Sequence, residues 1–226
     1  LLAVAMMLQM LPMLAFADDA TVTGETYKAW IGKQGYTSLE AAVRAARSGA
    51  TITLGEGEYE LYNKISENEN ILAGKELTFV GKGADKTIWN IRYKYDNPSG
   101  EDCDYDLGGA EKITFEKMKL KCGTGDYHGF ARIHNTVVKD CVIEGKTDYW
   151  GYTSAVFTDT TFNAPSSNYA LWTYSSPTMI FDNCTFNASG RVINVYTDYS
   201  AGKRDIKIYF NNCTVNSSTF FLYKQA

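Results

Sequence analysis

Short stretches in which hydrophobic and polar residues alternate recur along the chain, and each stretch loses its alternation at one polar residue. The clearest copies are IYFNNCTV at Ile208–Val215 and MIFDNCTF at Met179–Phe186. Hydrophobic residues alternate up to an Asn, and a new alternation begins at the Cys that follows. A period of two predicts a strand with one buried face, and the change of phase at Asn predicts a bend between two strands.

The same pattern returns at intervals that are typical of a solenoid. Weaker copies lie at Ala155–Phe162, Thr136–Ile143 and Ile113–Leu120. Their alignment places five residues in one column, at intervals of 19 to 29 residues: Met118, Cys141, Thr160, Cys184 and Cys213. Repeats of this length, each too small to bury its own core, predict stacked coils. The predicted fold is all-β, a right-handed parallel β-helix.

The residues before the repeats predict a cap for the open end of this solenoid. Thr37 and Glu40 match a capping box, and apolar residues at helical spacing predict a short helix over about 38–47. Gly49 has the position expected of a glycine that ends a helix. The sequence Thr51–Leu54 then predicts the first strand, so we expect the helix to cover the end of the core.

The first 17 residues carry no charge and end in Ala15-Phe16-Ala17, which is typical of a secretory signal and its cleavage site. A transmembrane anchor is the alternative for this segment, and no second apolar stretch is long enough to span a membrane. We therefore assign 1–17 to a signal peptide and 18–226 to one β-helix domain that continues or is capped beyond its C-terminal end. The net charge of −4, without a basic run, argues against a nucleic-acid partner.

Five cysteines in an exported chain leave at least one thiol without an intrachain disulfide. Cys141 and Cys184 fall two coils apart, about 9–10 Å, which exceeds the reach of a disulfide. Together with Cys213 they are predicted to be inert interior thiols. Cys103 and Cys122 flank a loop-rich stretch, and the sequence leaves open whether they pair.

The stacked F-x-N-C-T-F coils, with the run from Gly35 to Leu61 before them, resemble the pectin lyase-like superfamily of right-handed β-helix proteins. The resemblance covers roughly residues 25–226. It implies the fold, whereas the superfamily's functions range from polysaccharide lyases and hydrolases to non-catalytic adhesins and surface-array proteins. The lyase signatures W-I-D-H and R-x-P-x-x-R do not occur. The hydrolase motifs have fragments as their nearest matches, at Tyr127-His128-Gly129 and Arg132-Ile133-His134.

Two sets of residues are weak candidates for catalysis. Asp140 and Asp159 occupy the bend position of adjacent coils, where carboxylates could act on a glycosidic bond or could simply form the bend. His128, Arg132 and His134 include both histidines of the chain and could project together into a groove. The alternative for the second set is a pair of solvated surface histidines beside a charge.

An acidic loop is a candidate metal site. Asp102, Asp104 and Asp106 alternate as the first ligands of a calcium loop do. The loop departs from the EF-hand pattern, because Leu107 stands where that pattern has Gly, and Ile113 where it has a bidentate Glu. Ca²⁺ is thus a hypothesis, a solvated acidic loop is the alternative, and no cofactor is required by the sequence.

Aromatic clusters between the repeats give the strongest functional indication. Because the clusters belong to successive coils, we expect a ladder of rings along the helix axis, suited to stacking on sugars, unless the rings fill the core. The candidate glycan-binding residues are Tyr149, Trp150, Tyr152, Trp172, Tyr174, Tyr196 and Tyr199. The sequence favours a secreted or cell-surface, non-catalytic module that binds an extracellular or host glycan or acts as an adhesin or scaffold, with further domains of the same chain as other partners. The alternative is a polysaccharide lyase or glycoside hydrolase.

Overall fold

A computed structural model describes most of the chain after residue 25. The described residues are 26–61, 64–66, 69–91, 107–122, 129–131, 133–151, 153–164, 169–175, 178–196, 198–199, 202–203, 206–219 and 221–225. The predicted signal segment 1–17 lies outside them, so that assignment stays a prediction. None of the helical structure in the described ranges has the length and apolar character needed to cross a bilayer.

The first third of the described chain combines short strands with one helix. In chain order these elements are β1 (Ala29–Ile31), β2 (Gln34–Tyr36), α1 (Leu39–Ala45), β3 (Ala50–Leu54), β4 (Gly57–Tyr59), β5 (Lys64–Ser66), β6 (Glu69–Asn70), β7 (Glu76–Val80) and β8 (Thr87–Asn90). Strands follow throughout the rest: β9 (Lys112–Glu116), β10 (Lys119–Lys121), β11 (Gly129–Ala131), β12 (Asn135–Lys139), β13 (Val142–Glu144), β14 (Thr147–Gly151), β15 (Ser154–Thr158), β16 (Thr161–Ala164), β17 (Tyr169–Ser175), β18 (Thr178–Asp182), β19 (Thr185–Ala188), β20 (Arg191–Tyr196), β21 (Asp198–Tyr199), β22 (Gly202–Lys203), β23 (Lys207–Asn211), β24 (Thr214–Ser217) and β25 (Leu222–Gln225).

These strands stack as a parallel β-helix, which confirms the predicted fold class. The first sheet has the order β2-β1-β3-β7-β9-β12-β15-β18-β23, the second β24-β19-β16-β13-β10-β8-β4, and the third β11-β14-β17-β20-β25. The chain passes from the first sheet to the second, then to the third, and returns to the first one coil further on. Apart from β1, every strand pairing within the first sheet is parallel, as are those of the second and third sheets.

The register of the strands follows the repeat predicted from the sequence. In the first sheet one inner column joins Phe79, Phe115, Val138, Phe157, Phe181 and Phe210. Phe157 and Phe181 stack at 5.0 Å between ring centroids, and Phe181 and Phe210 at 5.1 Å. In the second sheet Phe162 stacks on Phe186 at 4.7 Å. Part of the core is thus built from columns in which Phe recurs from coil to coil.

In five successive coils, the residue at the bend between the first and second sheets has a left-handed backbone conformation. Positive φ angles of 48° to 56° occur at Lys117, Asp140, Asp159, Asn183 and Asn212. Asp and Asn tolerate this conformation better than other residues with a Cβ, as the sequence pattern predicted. The residue after each bend turns inward, and Asn183 donates from Nδ2 to Asp159 Oδ1 of the preceding coil at 2.5 Å.

In four of the five coils the inward residue after the bend is Cys or Thr, and its side chain contacts two carbonyl groups as a donor. Cys184 Sγ lies 3.4 Å from Phe157 O in the preceding coil and 3.5 Å from Asp182 O. Thr160 Oγ1 makes the same pair of contacts, 3.4 Å to Val138 O and 2.9 Å to Thr158 O. Cys and Thr share this column because each is a small donor that the inner corner can hold.

Three thiols were predicted from the sequence to be buried and inert, and two of them are buried. Cys141 and Cys184 are buried and free, and Cys213 is free and half-buried. Burial raises the pKa of the Cys141 and Cys184 thiols to about 12, so neither is a ready nucleophile. Cys122 is also buried, and its Sγ donates to Thr147 Oγ1 at 3.2 Å, whereas Cys103 lies outside the described residues.

The N-terminal cap is present, with two corrections to the predicted helix. Ser38 rather than Thr37 is the N-cap, and its Oγ accepts from the Ala41 N–H at 3.1 Å. The helix ends at Ala45 with Ala46 as its C-cap, so Gly49 does not end it. Glu40 bonds Arg44 at 2.9 Å instead of closing a capping box. Leu39, Ala42 and Val43 of the helix are buried in the core.

A hairpin that the sequence analysis missed completes the cap. The antiparallel strands β1 and β2 are joined at Gly32 and Lys33, and Gly32 has a φ of +59°. Strand β1 pairs in antiparallel fashion with β3, so it covers the edge that the first coil would otherwise expose.

Candidate functional site

The outer face of the third sheet carries two stacked aromatic rings. Trp172 alternates in β17 with Leu171 and Thr173, which are both fully buried, and its own side chain is half-buried and faces outward. Its ring stacks on that of Tyr196 from β20, with 5.8 Å between centroids and 25° between planes. The predicted ladder along the axis is therefore present at this pair.

The two rings are displaced sideways from each other. Trp172 pairs in register with Asn194, and Tyr196 lies two residues further along β20, so the ring contact is diagonal. Rings in direct face-to-face contact lie about 3.5–4 Å apart, so a centroid separation of 5.8 Å requires an offset. The two rings therefore overlap only in part.

Two contacts between a cation and an aromatic ring occur in the coils of the third sheet. The Arg191 guanidinium carbon lies 3.5 Å from the centroid of the Tyr223 ring, and Lys146 Nζ lies 4.9 Å from that of Tyr169. Tyr169 and Arg191 are paired in register where β17 and β20 begin. Both contacts join neighbouring coils; Arg191 and Tyr223 are half-buried, whereas Lys146 is buried.

Tyr149 is removed from the predicted glycan surface. It is fully buried in β14, in register with the fully buried Thr173, and its hydroxyl donates to Ser154 O at 2.8 Å. Burial raises the pKa of this hydroxyl. Because β14 presents Tyr149 to the core, the ring fills the interior, which was the alternative stated for some members of the cluster.

The remaining aromatic candidates are placed in part. Trp150 and Tyr174 are paired in register in β14 and β17, and Tyr199 belongs to the short hairpin strand β21. Tyr152 lies outside the described residues. We define the aromatic face as Trp172, Tyr196 and Tyr223 with the cation Arg191.

A second feature is a groove of about 440 Å³ at the corner between the first and second sheets. Its lining includes the side chains of Lys82, Lys117, Asp140 and Asp159, which are all exposed. The turn after β7 forms one end, where Gly83 N–H donates to Lys117 O at 2.9 Å. A Cβ at Gly81 would collide with that same carbonyl oxygen, so glycine permits the close approach of the turn.

The groove brings together Asp140 and Asp159, as the sequence predicted, but in a side-by-side arrangement. Both are bend residues with nearly equal φ angles, 53° and 48°, on adjacent parallel coils. Their side chains therefore project in the same direction. Glycosidases place two carboxyl groups on opposite sides of the scissile bond, so this arrangement suits binding of a cation better than hydrolysis.

The histidine set is only partly described. His134 is exposed at the start of β12, and its Nδ1 lies 3.9 Å from Glu111 Oε2, too far for a hydrogen bond. This agrees with a surface histidine beside a charge. His128 and Arg132 lie outside the described residues, so their grouping with His134 stays a prediction.

The calcium hypothesis falls on Asp102, Asp104 and Asp106, which are outside the described residues. Among the residues that the structure describes, no group of three or more His, Cys, Asp or Glu side chains could hold a metal ion.

Comparisons with known proteins add no relative. No family model matches the chain, no curated protein matches it, and no solved structure matches it.

The sequence analysis did not identify Lys82, Lys117, Arg191 or Tyr223 as site residues. The repeat alignment did contain a signal for Lys117, since it precedes Met118 in the column that defines the bend. The contact between Arg191 and Tyr223 has no local signal, because it joins residues of different coils.

Proposed function

We propose that the protein is a secreted or cell-surface β-helix module that binds a polysaccharide through its aromatic face, without cleaving it. The observation that carries this proposal is the offset stack of Trp172 and Tyr196 on the outer face of the third sheet. Sugar rings present apolar faces that pack on aromatic rings, and their hydroxyl groups bond the polar edges of Tyr and Trp.

The orientation of the rings supports a polymer rather than a single sugar as the ligand. Trp172, Tyr196 and Tyr223 come from three successive coils, so the face extends along the helix axis. Coils are about 4.8 Å apart, and the face therefore spans roughly 10 Å along the axis. A chain of sugars that lies parallel to the axis would contact all three residues at once.

Three further parts of the proposal rest on the sequence. A relationship to the pectin lyase-like superfamily is inferred from the repeat pattern together with the β-helix fold. Export is inferred from the signal-like segment 1–17. An adhesin or scaffold role follows if the bound glycan belongs to a cell surface.

The test is a panel of neutral and charged polysaccharides, measured for binding and for release of reducing-end or unsaturated sugars. We expect binding without product, and a loss of affinity of at least about fivefold in Trp172→Ala, the range for loss of one aromatic contact. Trp30→Ala is the matched control, because Trp30 is also half-buried but belongs to the N-terminal cap.

Two results would overturn the proposal. Product release by the wild-type protein would establish an enzyme and direct attention to Asp140, Asp159 and His134. Equal affinity of Trp172→Ala and Trp30→Ala for a bound polysaccharide would place the glycan on another surface.

A further inference from the structure

The groove at the corner of the first and second sheets has its charges sorted along the helix axis. Lys82 and Lys117 belong to two successive coils, and Asp140 and Asp159 to the next two, as the parallel register of β7, β9, β12 and β15 shows. The groove therefore has a cationic end and an anionic end. With a coil spacing of about 4.8 Å, Lys117 and Asp140 are one spacing apart, and Lys117 and Asp159 are two.

These charges do not neutralise one another inside the groove. Within the described part of the chain, no hydrogen bond or ion pair engages the side chains of Lys82, Lys117 or Asp140. Asp159 accepts one hydrogen bond, from the neutral amide of Asn183. This differs from other surface charges of the protein, such as Lys119 and Glu144, which pair at 3.1 Å one coil apart. Register therefore permits pairing between adjacent coils, yet the groove charges remain separate.

The backbone fixes where three of the four side chains start. Lys117, Asp140 and Asp159 are left-handed bend residues, so their Cα–Cβ bonds are repeated from coil to coil rather than set by a loose loop. The turn that carries Lys82 is fastened to the bend by the bonds from Gly81 N–H to Glu116 O at 2.8 Å and from Gly83 N–H to Lys117 O at 2.9 Å. The groove, about 440 Å³, is within the range of small-molecule sites.

From this arrangement we infer that the groove is a second binding site, separate from the aromatic face, and that it takes a zwitterionic ligand. The ligand's anionic group lies against Lys82 and Lys117, and its cationic group lies against Asp140 and Asp159. A ligand with one charge would leave the opposite end of the groove without a partner, whereas a zwitterion satisfies both ends. The two charges of the ligand are separated by roughly one to two coil spacings, about 5–10 Å.

The test uses 6-aminohexanoate as the zwitterionic probe, titrated into the purified protein at low ionic strength. Hexylamine and hexanoate are the single-charge comparisons, and glycine is a zwitterion whose charges are too close to reach both ends. We expect the dissociation constant for 6-aminohexanoate to be at least about fivefold lower than those of the other three probes. We also expect it to rise as salt is added, because exposed charges are screened.

Variants assign the binding to the groove. Lys117→Gln and Asp140→Asn should each raise the dissociation constant for 6-aminohexanoate at least about threefold, since each removes one charge contact. Lys28→Gln and Glu76→Gln, exposed charges outside the groove, should leave it unchanged. Unfolding curves of the four variants check that folding is retained.

The inference fails if 6-aminohexanoate binds no more tightly than hexylamine or hexanoate. It also fails if the two groove variants bind 6-aminohexanoate as the two control variants do. Neither outcome bears on the aromatic face, whose ligand is tested with polysaccharides and with Trp172→Ala.

Discussion

The inner column of the first sheet and the outer column of the third sheet obey different rules of composition. The inner column holds Phe in five of seven successive coils, at positions 79, 115, 157, 181 and 210, with Ile52 before them and Val138 between them. The outer column, named for the half-buried Trp172 and Tyr223, changes residue in every coil, from Gly129 through Asp148, Trp172 and Asn194 to Tyr223, and its member Asn194 is buried. Both columns belong to continuous parallel ladders of backbone hydrogen bonds.

The difference between the two columns separates residues that the fold needs for packing from residues whose identity packing does not determine. Positions of the inner column meet apolar neighbours in every coil, so apolar residues recur there, and its Phe rings stack. Trp172 and Tyr223 of the outer column are only half-buried, so stacking does not demand one residue type at their positions. These two aromatic residues are therefore the better candidates for ligand contacts.

The largest effect that separates the two columns is on stability. Phe157→Ala should lower the free energy of unfolding by about 3–5 kcal/mol, because a fully buried ring that contacts Phe162 and Phe181 is lost. Trp172→Ala should cost about 1 kcal/mol, since its side chain is partly solvated. Urea unfolding measures both values. If Trp172→Ala is as destabilising as Phe157→Ala, the outer column is structural and the contrast is wrong.

The bend column should show a backbone effect of intermediate size. Asn183 has a φ of 53°, so Asn183→Val should destabilise by about 1–2 kcal/mol, whereas Asn183→Gly should be close to neutral. Thermal unfolding of the two variants compares them directly. Equal melting temperatures would show that the left-handed bend is not a requirement of the coil.

The column behind the bend should distinguish a small donor from a small apolar residue. Cys184→Ala removes the donor to Phe157 O and Asp182 O and should cost about 1 kcal/mol. Cys184→Thr should cost less, because Thr160 makes the equivalent contacts in the preceding coil. Chemical denaturation ranks the two variants, and the reverse order would rule out this account of the column.

The smallest expected effect is a loss of stability in alkaline solution, caused by the buried thiols of Cys141 and Cys184. Their pKa is raised to about 12 in the folded protein, against about 8.5 for an exposed thiol. The stabilisation is complete below the unfolded-state pKa and decreases as pH rises from about 8.5 towards 12, because only the unfolded chain ionises there. The double variant Cys141→Thr/Cys184→Thr should lose stability less steeply between pH 8 and 11. Parallel curves would assign the alkaline loss to other groups.

The sequence predicts the repeated part of this molecule and leaves the unrepeated part open. The positions of Cys141, Cys184 and Asn183 follow from an alignment of the coils, because each coil repeats the same bend and the same inward position after it. Thr37 and Ser38 are both good N-cap residues, so the sequence does not distinguish them, and the helix uses Ser38. Neighbouring aromatic residues such as Tyr149 and Trp150 fit either phase of a strand, so the sequence does not tell which of them is buried.

The candidate sites divide in the same way. Asp140 and Asp159 were brought to one place by the repeat, and the structure adds the lysines that give their groove its second charge. From the sequence, a ladder of aromatic rings along the axis could be expected, but not the specific contact between Trp172 and Tyr196. Its offset depends on the register between β17 and β20, which is a property of the folded chain.

A double-mutant cycle on the affinity for a bound polysaccharide tests the central claim most directly. If Trp172 and Tyr196 form one platform, Trp172→Ala and Tyr196→Ala should each weaken binding at least about fivefold, and the double variant should be weaker than either by less than the product of the two factors. Unfolding curves should show all three variants folded. Unchanged affinity in the folded single variants would contradict the claim that this face binds the glycan.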